Sequence, residues 1–471
     1  MVGAGLAGRV LTLATLPLYT RALTPEEFGV VAFGTAITMA VAVFASLSLP
    51  SAAARFAVEA RTGEERRELL GTTLRGVTIV GGVVALVLFI LGPRMMPSRL
   101  LEPAGDAQLI VALLALVLLL RAVAANLSAY GLAVGRHRGV GVCELAEQVV
   151  RHGLLVTLAL GGWLTPASYF VGAVIGVAVM VALLAAVNGH DLSFRWNAKI
   201  ARRAVAFSLP LVLHSAAYNG IHYLDRMVLG TLVPAADLGR YHLNYSLVFA
   251  PFAVVMLLVR AWTPWANLGF AEDDAGIYEA MSALVVAGGI VVAISVVVGM
   301  ELVFPYLFTP EYAVSPRVTG ILVASELCYL SYTASVTPMT FFERHRWLPL
   351  ITVAGLLTNG AALLVLVPHL NIEGAALATL AAFAVMGVGT SIAAQSSTGL
   401  SVSPRSALAL TVALPLCVVF WDLPRPVALI GAGALVVGCA WSVQRNRKRF
   451  DRLTRTLRVE HDPVVRGAAR S

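Results

Sequence analysis

Long apolar stretches follow one another along almost the whole 471-residue chain, and short polar segments separate them. An apolar stretch of about 18 or more residues can cross a hydrocarbon layer roughly 30 Å thick as a helix. We predict fourteen such spans, at 2–20, 28–50, 72–92, 107–127, 143–160, 167–188, 207–229, 241–262, 279–301, 317–338, 347–367, 372–394, 406–421 and 426–444. The sequence therefore predicts an all-α, polytopic integral membrane protein.

The composition excludes most soluble classes, because only 13% of the residues are charged and 58% are hydrophobic. Soluble domains carry about 25% charged residues. The sequence contains no P-loop, so direct ATP hydrolysis is not expected. The four cysteines fall inside predicted spans and form no CxxC spacing, so neither a metal site nor a cofactor is predicted. They are Cys143, Cys328, Cys417 and Cys439.

Basic residues predict the orientation, because short cytoplasmic loops are enriched in Lys and Arg. With the N-terminus inside, the inner loops and the tail hold most of the basic residues, including the segments 55–70, 195–203 and 445–458. Both termini are therefore expected in the cytoplasm. The sequence pI of 9.6 follows from this asymmetry and from attraction to anionic lipid, and binding to nucleic acid is not expected.

A short polar hinge recurs along the chain. The sequence "LTPEEFG" at 23–29 and the sequence "LVPAADLG" at 232–239 each join two apolar stretches, and "FTPEYA" at 308–313 is a third echo. Six predicted spans separate the first two hinges, and an even number of spans returns the chain to the same side of the membrane. This placement is typical of parallel repeats related by an axis along the membrane normal. The core is therefore predicted to be two six-helix bundles.

Several segments resemble the polysaccharide-type flippases of the multidrug, oligosaccharidyl-lipid and polysaccharide exporter superfamily. The segment 16–37 looks like that family's opening hairpin, and 47–56 like the end of its second helix. The segment 207–230 resembles its seventh helix, with the Asp225–Arg226 pair, and 351–379 is similar to its eleventh and twelfth helices. The resemblance covers roughly residues 10 to 395.

The resemblance implies a two-lobed transporter that moves a lipid-linked, polyprenyl-pyrophosphate oligosaccharide from the inner to the outer leaflet by alternating access. The Arg-rich, Lys-poor composition indicates a prokaryotic cytoplasmic membrane, and a proton or sodium ion is the expected coupling ion, with a polysaccharide polymerase or glycosyltransferases as expected partners. The expected parts are an N-terminal lobe at 1–190, a C-terminal lobe at 191–400, two further spans at 401–444 and a basic tail at 445–471.

The fifth predicted span carries a polar stripe. A charged side chain at mid-bilayer costs about 2.5 to 3.5 kcal/mol, so it usually faces a cavity or a partner. At 100° per residue Glu144, Glu147 and Arg151 fall on one face. Either this stripe lines a cavity in which Arg151 binds an anionic headgroup, or Glu147 and Arg151 only neutralise each other. Arg121 in the fourth span is expected to pair with Glu144 or Glu147.

The seventh span allows a proton relay or a purely structural role. His222 and Asp225 are three residues apart and can touch, and histidine titrates near neutral pH. Alternatively, Asp225 pairs with Arg226 at a hydrogen-bonded helix end. Glu326 in the tenth span is the best acidic residue for cation coupling, and hydrogen bonding to a neighbour is the alternative.

The candidate site therefore has two parts. Substrate-binding candidates are Arg9, Arg55, Arg121, Glu144, Glu147, Arg151, Asp225, Arg226 and Arg260. Coupling-ion candidates are His222, Asp225 and Glu326. For Arg55 and Arg260, near the cytoplasmic ends of spans, snorkelling to lipid phosphate is the alternative.

Three other functions remain open. A cation-coupled multidrug exporter of the same superfamily would be expected to have an acidic pocket and usually twelve spans, whereas buried arginines outnumber buried acids here. A peptidoglycan-precursor flippase shares the basic cavity and the fourteen spans. An integral glycosyltransferase or polymerase needs large loops to carry its chemistry, and the predicted outer loops, such as 93–106, have at most about fifteen residues. We therefore expect a transporter rather than an enzyme.

Overall fold

The computed structural model describes residues 2–271, 275–400 and 404–419, with isolated positions at 431, 433, 437 and 444. Helices joined by short turns make up this part of the chain, and no strand occurs within it. The α-helices in chain order are α1 Val2–Ala22, α2 Pro25–Ser46, α3 Leu49–Ala57, α4 Gly63–Met95, α5 Ser98–Ala104, α6 Ala107–Ala133, α7 His137–Leu160, α8 Pro166–Val187, α9 Ala198–Leu232, α10 Ala235–Ala271, α11 Ala275–Leu302, α12 Phe304–Leu307, α13 Pro316–Phe341, α14 Leu348–Thr398 and α15 Pro404–Val419.

Helix starts follow from local capping chemistry. At the first hinge Thr24 is the N-cap of α2, its hydroxyl accepts a hydrogen bond from the Glu27 amide, and the Glu27 carboxylate accepts one from the Thr24 amide. Pro25 occupies the first turn, where its missing N–H costs nothing. Thr62 and Glu65 form the same capping box at α4. The hinges are therefore tight helix starts.

Eight helices within the described residues are long and apolar enough to cross a membrane, judged by length and composition. They are α2, α4, α6, α8, α9, α10, α11 and α14. The described helices also cover the predicted spans near 2–20, 143–160, 317–338 and 406–421. The predicted span at 426–444, Cys439 and the tail at 445–471 lie outside the continuous described ranges.

Three predicted spans differ in detail from the helices. The span at 28–50 breaks at Leu47 and Ser48, whose φ angles of 46° and 51° are left-handed, so α2 ends and α3 begins in a new direction. The spans at 347–367 and 372–394 form α14, which bends at Asn371 with φ 49° and ψ −128°. Asn tolerates such backbone better than most side chains. The bend at Asn371 falls in the predicted gap at 368–371, whereas the break at Leu47–Ser48 lies inside a predicted span and was not predicted.

The chain forms two compact units. Unit 1 consists of Met1–Leu247, Val303–Val314 and Leu356–Ala378, and unit 2 consists of Val248–Leu302, Ser315–Gly355 and Thr379–Ser471. The predicted lobes at 1–190 and 191–400 have different bounds and stay a prediction.

Each unit has an apolar interior of its own. In unit 1 one core joins α3, α4, α6 and α8, and a second core joins α1, α2 and α7 around Tyr19, Phe28 and Tyr312. In unit 2 the buried face of α13 packs against α11 and α15. There the Tyr278 hydroxyl donates a hydrogen bond of 3.2 Å to the Ala334 carbonyl oxygen.

Candidate functional site

Arginines in unit 1 meet one buried carboxylate. Glu147 of α7 is 2% exposed, and its Oε1 accepts a hydrogen bond of 3.1 Å from the Arg121 guanidinium of α6. Gln148 donates a bond of 2.6 Å to the other carboxylate oxygen. One turn later, Arg151 donates 2.9 Å to the Tyr169 hydroxyl of α8 and interacts electrostatically with Glu147. We name these five residues the α7 cluster.

The α7 cluster carries more positive than negative charge. Arg121 and Arg151 share Glu147, so among the described side chains of the cluster two guanidiniums meet one carboxylate. The Arg151 Nε is buried, and within the described residues no group accepts its hydrogen bond. A buried donor without a partner costs about 1–3 kcal/mol. The cluster therefore has both the charge and a free donor for an anion.

A hydrogen-bonded histidine lies beside Arg151. His152 of α7 is 3% exposed, and its Nδ1 lies 2.7 Å from the Tyr19 hydroxyl and 3.0 Å from the Thr15 hydroxyl of α1. Its Nε2 lies 3.3 Å from the Thr12 hydroxyl. The Tyr19 and His152 rings stack with centroids 6.1 Å apart. These contacts join α1 firmly to α7.

A second ionic group, the α9 cluster, consists of Asp225, Arg226, Tyr241, His242 and Tyr245. The Arg226 guanidinium donates 3.0 Å to the Asp225 carboxylate, and both side chains are nearly fully buried. Tyr241 of α10 donates 2.7 Å to the other Asp225 oxygen, and the Arg226 Nε donates 3.3 Å to His242. The Tyr245 ring centroid lies 3.9 Å from the guanidinium carbon.

Tyr223 connects the two clusters within unit 1. Its ring centroid lies 5.8 Å from the Arg226 guanidinium carbon, and its side chain interacts electrostatically with Arg121. Arg226 also donates 2.6 Å to the His222 carbonyl oxygen. The polar groups of α6, α7 and α9 therefore form neighbouring parts of one polar region.

The two proline hinges pack against each other in a reciprocal way. A Cβ on Gly29, four residues after Pro25, would overlap the backbone carbonyl oxygen of Ala235. A Cβ on Gly239, four residues after Ala235, would overlap the Pro25 carbonyl oxygen. Only glycine permits this approach of two helix starts, and the repeat places it at the same turn of each helix. The hinges thus close this end of α2 and α10 by backbone contact.

The third hinge-like segment, at 308–313, contacts the same region of unit 1. The Tyr312 hydroxyl donates 2.9 Å to the Leu23 carbonyl oxygen, and the Tyr312 ring meets Phe28 edge to face at 5.9 Å. Arg240 donates 2.7 Å to the Glu311 carbonyl oxygen. All three predicted hinges therefore lie together at one end of the unit.

The predicted site residues divide into three groups. Arg121, Glu147 and Arg151 meet in the α7 cluster, with Glu144 partly buried one turn before it, and Asp225 and Arg226 pair in the α9 cluster. Of the two acids expected to pair with Arg121, the structure selects Glu147. His222 lies beside the α9 cluster through its carbonyl group.

The remaining predicted residues lie elsewhere. Arg55 is exposed and pairs with Glu59 at 2.7 Å, as a helix-end residue would. Glu326 is buried in α13 of unit 2. The side chains of Arg9 and Arg260 lie outside the described part of the structure.

Several polar residues of the site were not predicted from the sequence. They are Thr12, Thr15, Tyr19, His152, Tyr169, Tyr241, His242 and Tyr245. A signal did exist for α1, because Thr12, Thr15 and Tyr19 follow one another at helical spacing on one face of an apolar span. Tyr241 and Tyr245 of α10 are also four residues apart, whereas Tyr169 of α8 shows no such pattern.

These features define a class: an all-α, multi-pass membrane protein with buried arginine clusters and a repeated glycine hinge. The sequence matches the family described as "Polysaccharide biosynthesis protein" over residues 1–267, more than half of the chain. The protein belongs to this family. The predicted fold class and family are thereby confirmed. No curated protein matches the sequence directly.

Solved structures show the same fold. The chain is similar to "Lipid II flippase MurJ, inward closed conformation", with a TM-score of 0.71, 11% identity, and 95% of this chain and 98% of that chain covered. It is similar to the MATE multidrug transporter DinF-BH, with a TM-score of 0.59, 13% identity, and 84% and 93% covered. A transporter of the MOP superfamily from Pyrococcus furiosus has a TM-score of 0.54, 13% identity, and 87% and 95% covered.

Proposed function

We propose that this protein is a flippase that moves a lipid-linked, polyprenyl-pyrophosphate oligosaccharide from the inner to the outer leaflet during cell-surface polysaccharide synthesis. Membership of the polysaccharide biosynthesis family supports the substrate class. The transporter fold shared with the solved structures supports movement rather than a bond-making reaction.

The α7 cluster carries the proposal. Two partly buried guanidiniums lie near one buried carboxylate there, and the Arg151 Nε is a buried donor with no acceptor among the described residues. Arginine binds phosphate through paired, charge-assisted hydrogen bonds. The pyrophosphate linker supplies two adjacent phosphates, so it offers both the compensating charge and the missing acceptors. Arg226 pairs with Asp225 and lies over the Tyr245 ring, and Asp225 accepts a hydrogen bond from Tyr241. In this proposal these contacts hold α9 against α10.

Movement is proposed to follow from alternating closure of the two ends. The hinge contact between Gly29 and Gly239 closes one end of unit 1, which corresponds to the outer end in the proposed orientation, with both termini in the cytoplasm. A proton or sodium ion is the proposed coupling ion, with His222, Asp225 and Glu326 as candidates. The proposed location is a prokaryotic cytoplasmic membrane, where a polymerase or glycosyltransferases would act on the translocated lipid.

A peptidoglycan-precursor flippase is the second candidate function. The observation that favours it is the similarity to the lipid II flippase MurJ, which extends over 95% of this chain. Its substrate would present the same pyrophosphate to the α7 cluster, so the arginines do not separate the two functions.

Mass spectrometry of polyprenyl-linked saccharides in a depletion strain tests the proposal and separates the candidates. An impermeant sugar-modifying enzyme reports which leaflet holds each lipid. Accumulation of one polysaccharide precursor in the inner leaflet is expected. Accumulation of the peptidoglycan precursor would favour the second candidate, and unchanged lipids with unchanged glycans would favour a small-molecule exporter.

The residue-level test is Arg151→Ala in the complemented strain. Flipping should be lost while membrane abundance stays unchanged, because the variant removes the donor without breaking the Arg121–Glu147 pair. Arg138→Ala, at an exposed position of the same helix, is the matched control and should flip normally. Loss of folded protein in Arg151→Ala alone would mean that Arg151 is structural.

A further inference from the structure

An apolar pocket lies between α2, α4, α6 and α9 in unit 1. Its volume is about 230 Å³, and every described residue that lines it is apolar. An apolar cavity of about 150 Å³ is already large enough for benzene. The pocket can therefore hold several methylene groups.

The pocket has a closed floor and an open rim. Val30, Ile110 and Val111 of the floor are at most 4% exposed. A Cβ on Gly92 would lie 2.7 Å from a Val111 methyl group, so this glycine lets α4 approach α6 closely and complete the floor. On the rim Leu91 is 43% exposed. Because this rim belongs to a membrane-spanning helix, the pocket opens toward lipid.

The lining of α4 has the dimensions of one leaflet. Its pocket residues run from Val84 to Met95 at helical spacing, a rise of about 16 Å. Half of a hydrocarbon core roughly 30 Å thick is nearly the same length. A single alkyl chain that runs along this stripe would therefore span its leaflet.

A positive charge lies at the membrane-surface end of the pocket residues of α4. Arg94 is exposed in the last turn of α4, and it follows Val87 by seven residues, so it lies on nearly the same face as the pocket residues. A guanidinium at this depth is placed to meet a lipid phosphate. The site therefore offers a phosphate-binding guanidinium followed by an apolar surface, the order in which a phospholipid presents its phosphate and its acyl chain.

We propose that this pocket is a phospholipid site that seats one acyl chain along α4, with the phosphate at Arg94. In the proposed orientation the lipid comes from the outer leaflet. The chain would fill the space between α2 and α4 and contact Met227, the residue that follows the Asp225–Arg226 pair. The lipid thus supports the helix that holds this buried pair, and the proposal does not depend on what the protein transports.

Photo-crosslinking of the full-length protein tests the site. The protein is reconstituted into vesicles of phosphatidylethanolamine and phosphatidylglycerol, a fraction of the latter carrying a diazirine near the end of one acyl chain. Adducts are mapped by mass spectrometry. They should concentrate on the pocket segments 84–96 and 110–114. Even labelling of all lipid-exposed positions of α4 would overturn the proposal.

Two matched variants test whether the lipid binds in this pocket. Leu91→Trp fills the rim of the pocket and should reduce pocket adducts to the level of lipid-exposed positions. Leu86→Trp makes the same exchange at a residue that is 56% exposed and does not line the pocket, and it should label as the wild type does. Equal labelling of the two variants would contradict a specific lipid-binding site in this pocket.

Two further experiments identify the lipid that occupies the pocket. Arg94→Ala should weaken pocket labelling, and Arg94→Lys should restore it. Excess unlabelled phosphatidylglycerol should displace the labelled lipid. If polyprenyl phosphate displaces it better than phosphatidylglycerol does, the occupant is a polyprenyl tail, and the phospholipid assignment is wrong.

Discussion

The partly buried pair of Arg121 and Glu147 combines a structural contact with a proposed role in substrate binding. Removing one partner of a buried pair leaves an uncompensated charge and costs about 3–5 kcal/mol, whereas replacing both partners by apolar residues is often neutral. We expect Arg121→Leu and Glu147→Leu each to lower the melting temperature in detergent. The double variant should recover most of that loss.

A transport assay separates the structural role of this pair from its proposed role in substrate binding. If Arg121 also binds the anionic headgroup, the double variant should fold well and yet flip no substrate. A double variant that is stable and active would show that the pair is dispensable, and Arg151 would then bind the headgroup without it. Fluorescence-detected size-exclusion chromatography and the flipping assay measure the two properties on the same samples.

Part of this residue-level arrangement could be predicted from the sequence. Periodicity placed Glu147 and Arg151 on one face, and the cost of a buried charge required a partner for Arg121. The link from His152 to Thr15 and Tyr19 joins residues more than 130 positions apart. Helical spacing shows which residues share a face of one helix, but it does not show which helix lies opposite.

At the scale of helices, the hinge glycines are the most constrained positions. Gly29→Ala should lose most transport, because its Cβ would overlap rigid backbone of Ala235 rather than a side chain that can move. Gly82→Ala is the control, since a Cβ there meets nothing within 4 Å, and it should keep full activity. Equal activity of both variants at equal abundance would show that the hinges need not touch during transport.

The segment between α8 and α9 is held to the first unit by a buried ion pair. Asp191 is 2% exposed, and Arg136 binds it at 2.6 Å. Burial of the carboxyl group alone would raise the pKa of Asp191. Hydrogen bonds from His190 and Arg136 outweigh this effect and lower the pKa below its usual value.

Asp191→Ala is therefore expected to destabilise the protein by about 3 kcal/mol. Because the folded-state pKa is lowered, the contribution is complete above the unfolded value of about 3.9 and is lost as the pH falls through the folded pKa. Glu64→Ala removes an exposed pair with Arg195 of the same segment and should cost at most about 1 kcal/mol. Melting temperatures between pH 3 and 7 compare the two variants, and equal losses would contradict a special role for Asp191.

Helix existence was predictable, and so was the interruption at 368–371, but the break inside the predicted span 28–50 was not. Hydrophobic length located the described spans because the cost of unsatisfied backbone in lipid leaves helices as the main solution for such a sequence. The breaks at Leu47–Ser48 and at Asn371 depend on local backbone angles that ordinary side chains adopt only when tertiary packing enforces them. Pro368 and Gly374 flank Asn371 and agree with the predicted gap there, whereas the break at Leu47–Ser48 lies inside a predicted span.

For the molecule as a whole, the predicted orientation rests on basic residues alone and can be tested directly. In a background free of native cysteines, Gly63→Cys and Ser396→Cys, both at exposed positions, should react with an impermeant maleimide only from the cytoplasmic side. Trp163→Cys, 71% exposed between α7 and α8, should react only from outside. Because an even number of spans separates the first two positions, they must label from the same side. Labelling of either from outside would reverse the assignment of the hinge contact to the outer end, and would place the lipid seat of α4 in the inner leaflet.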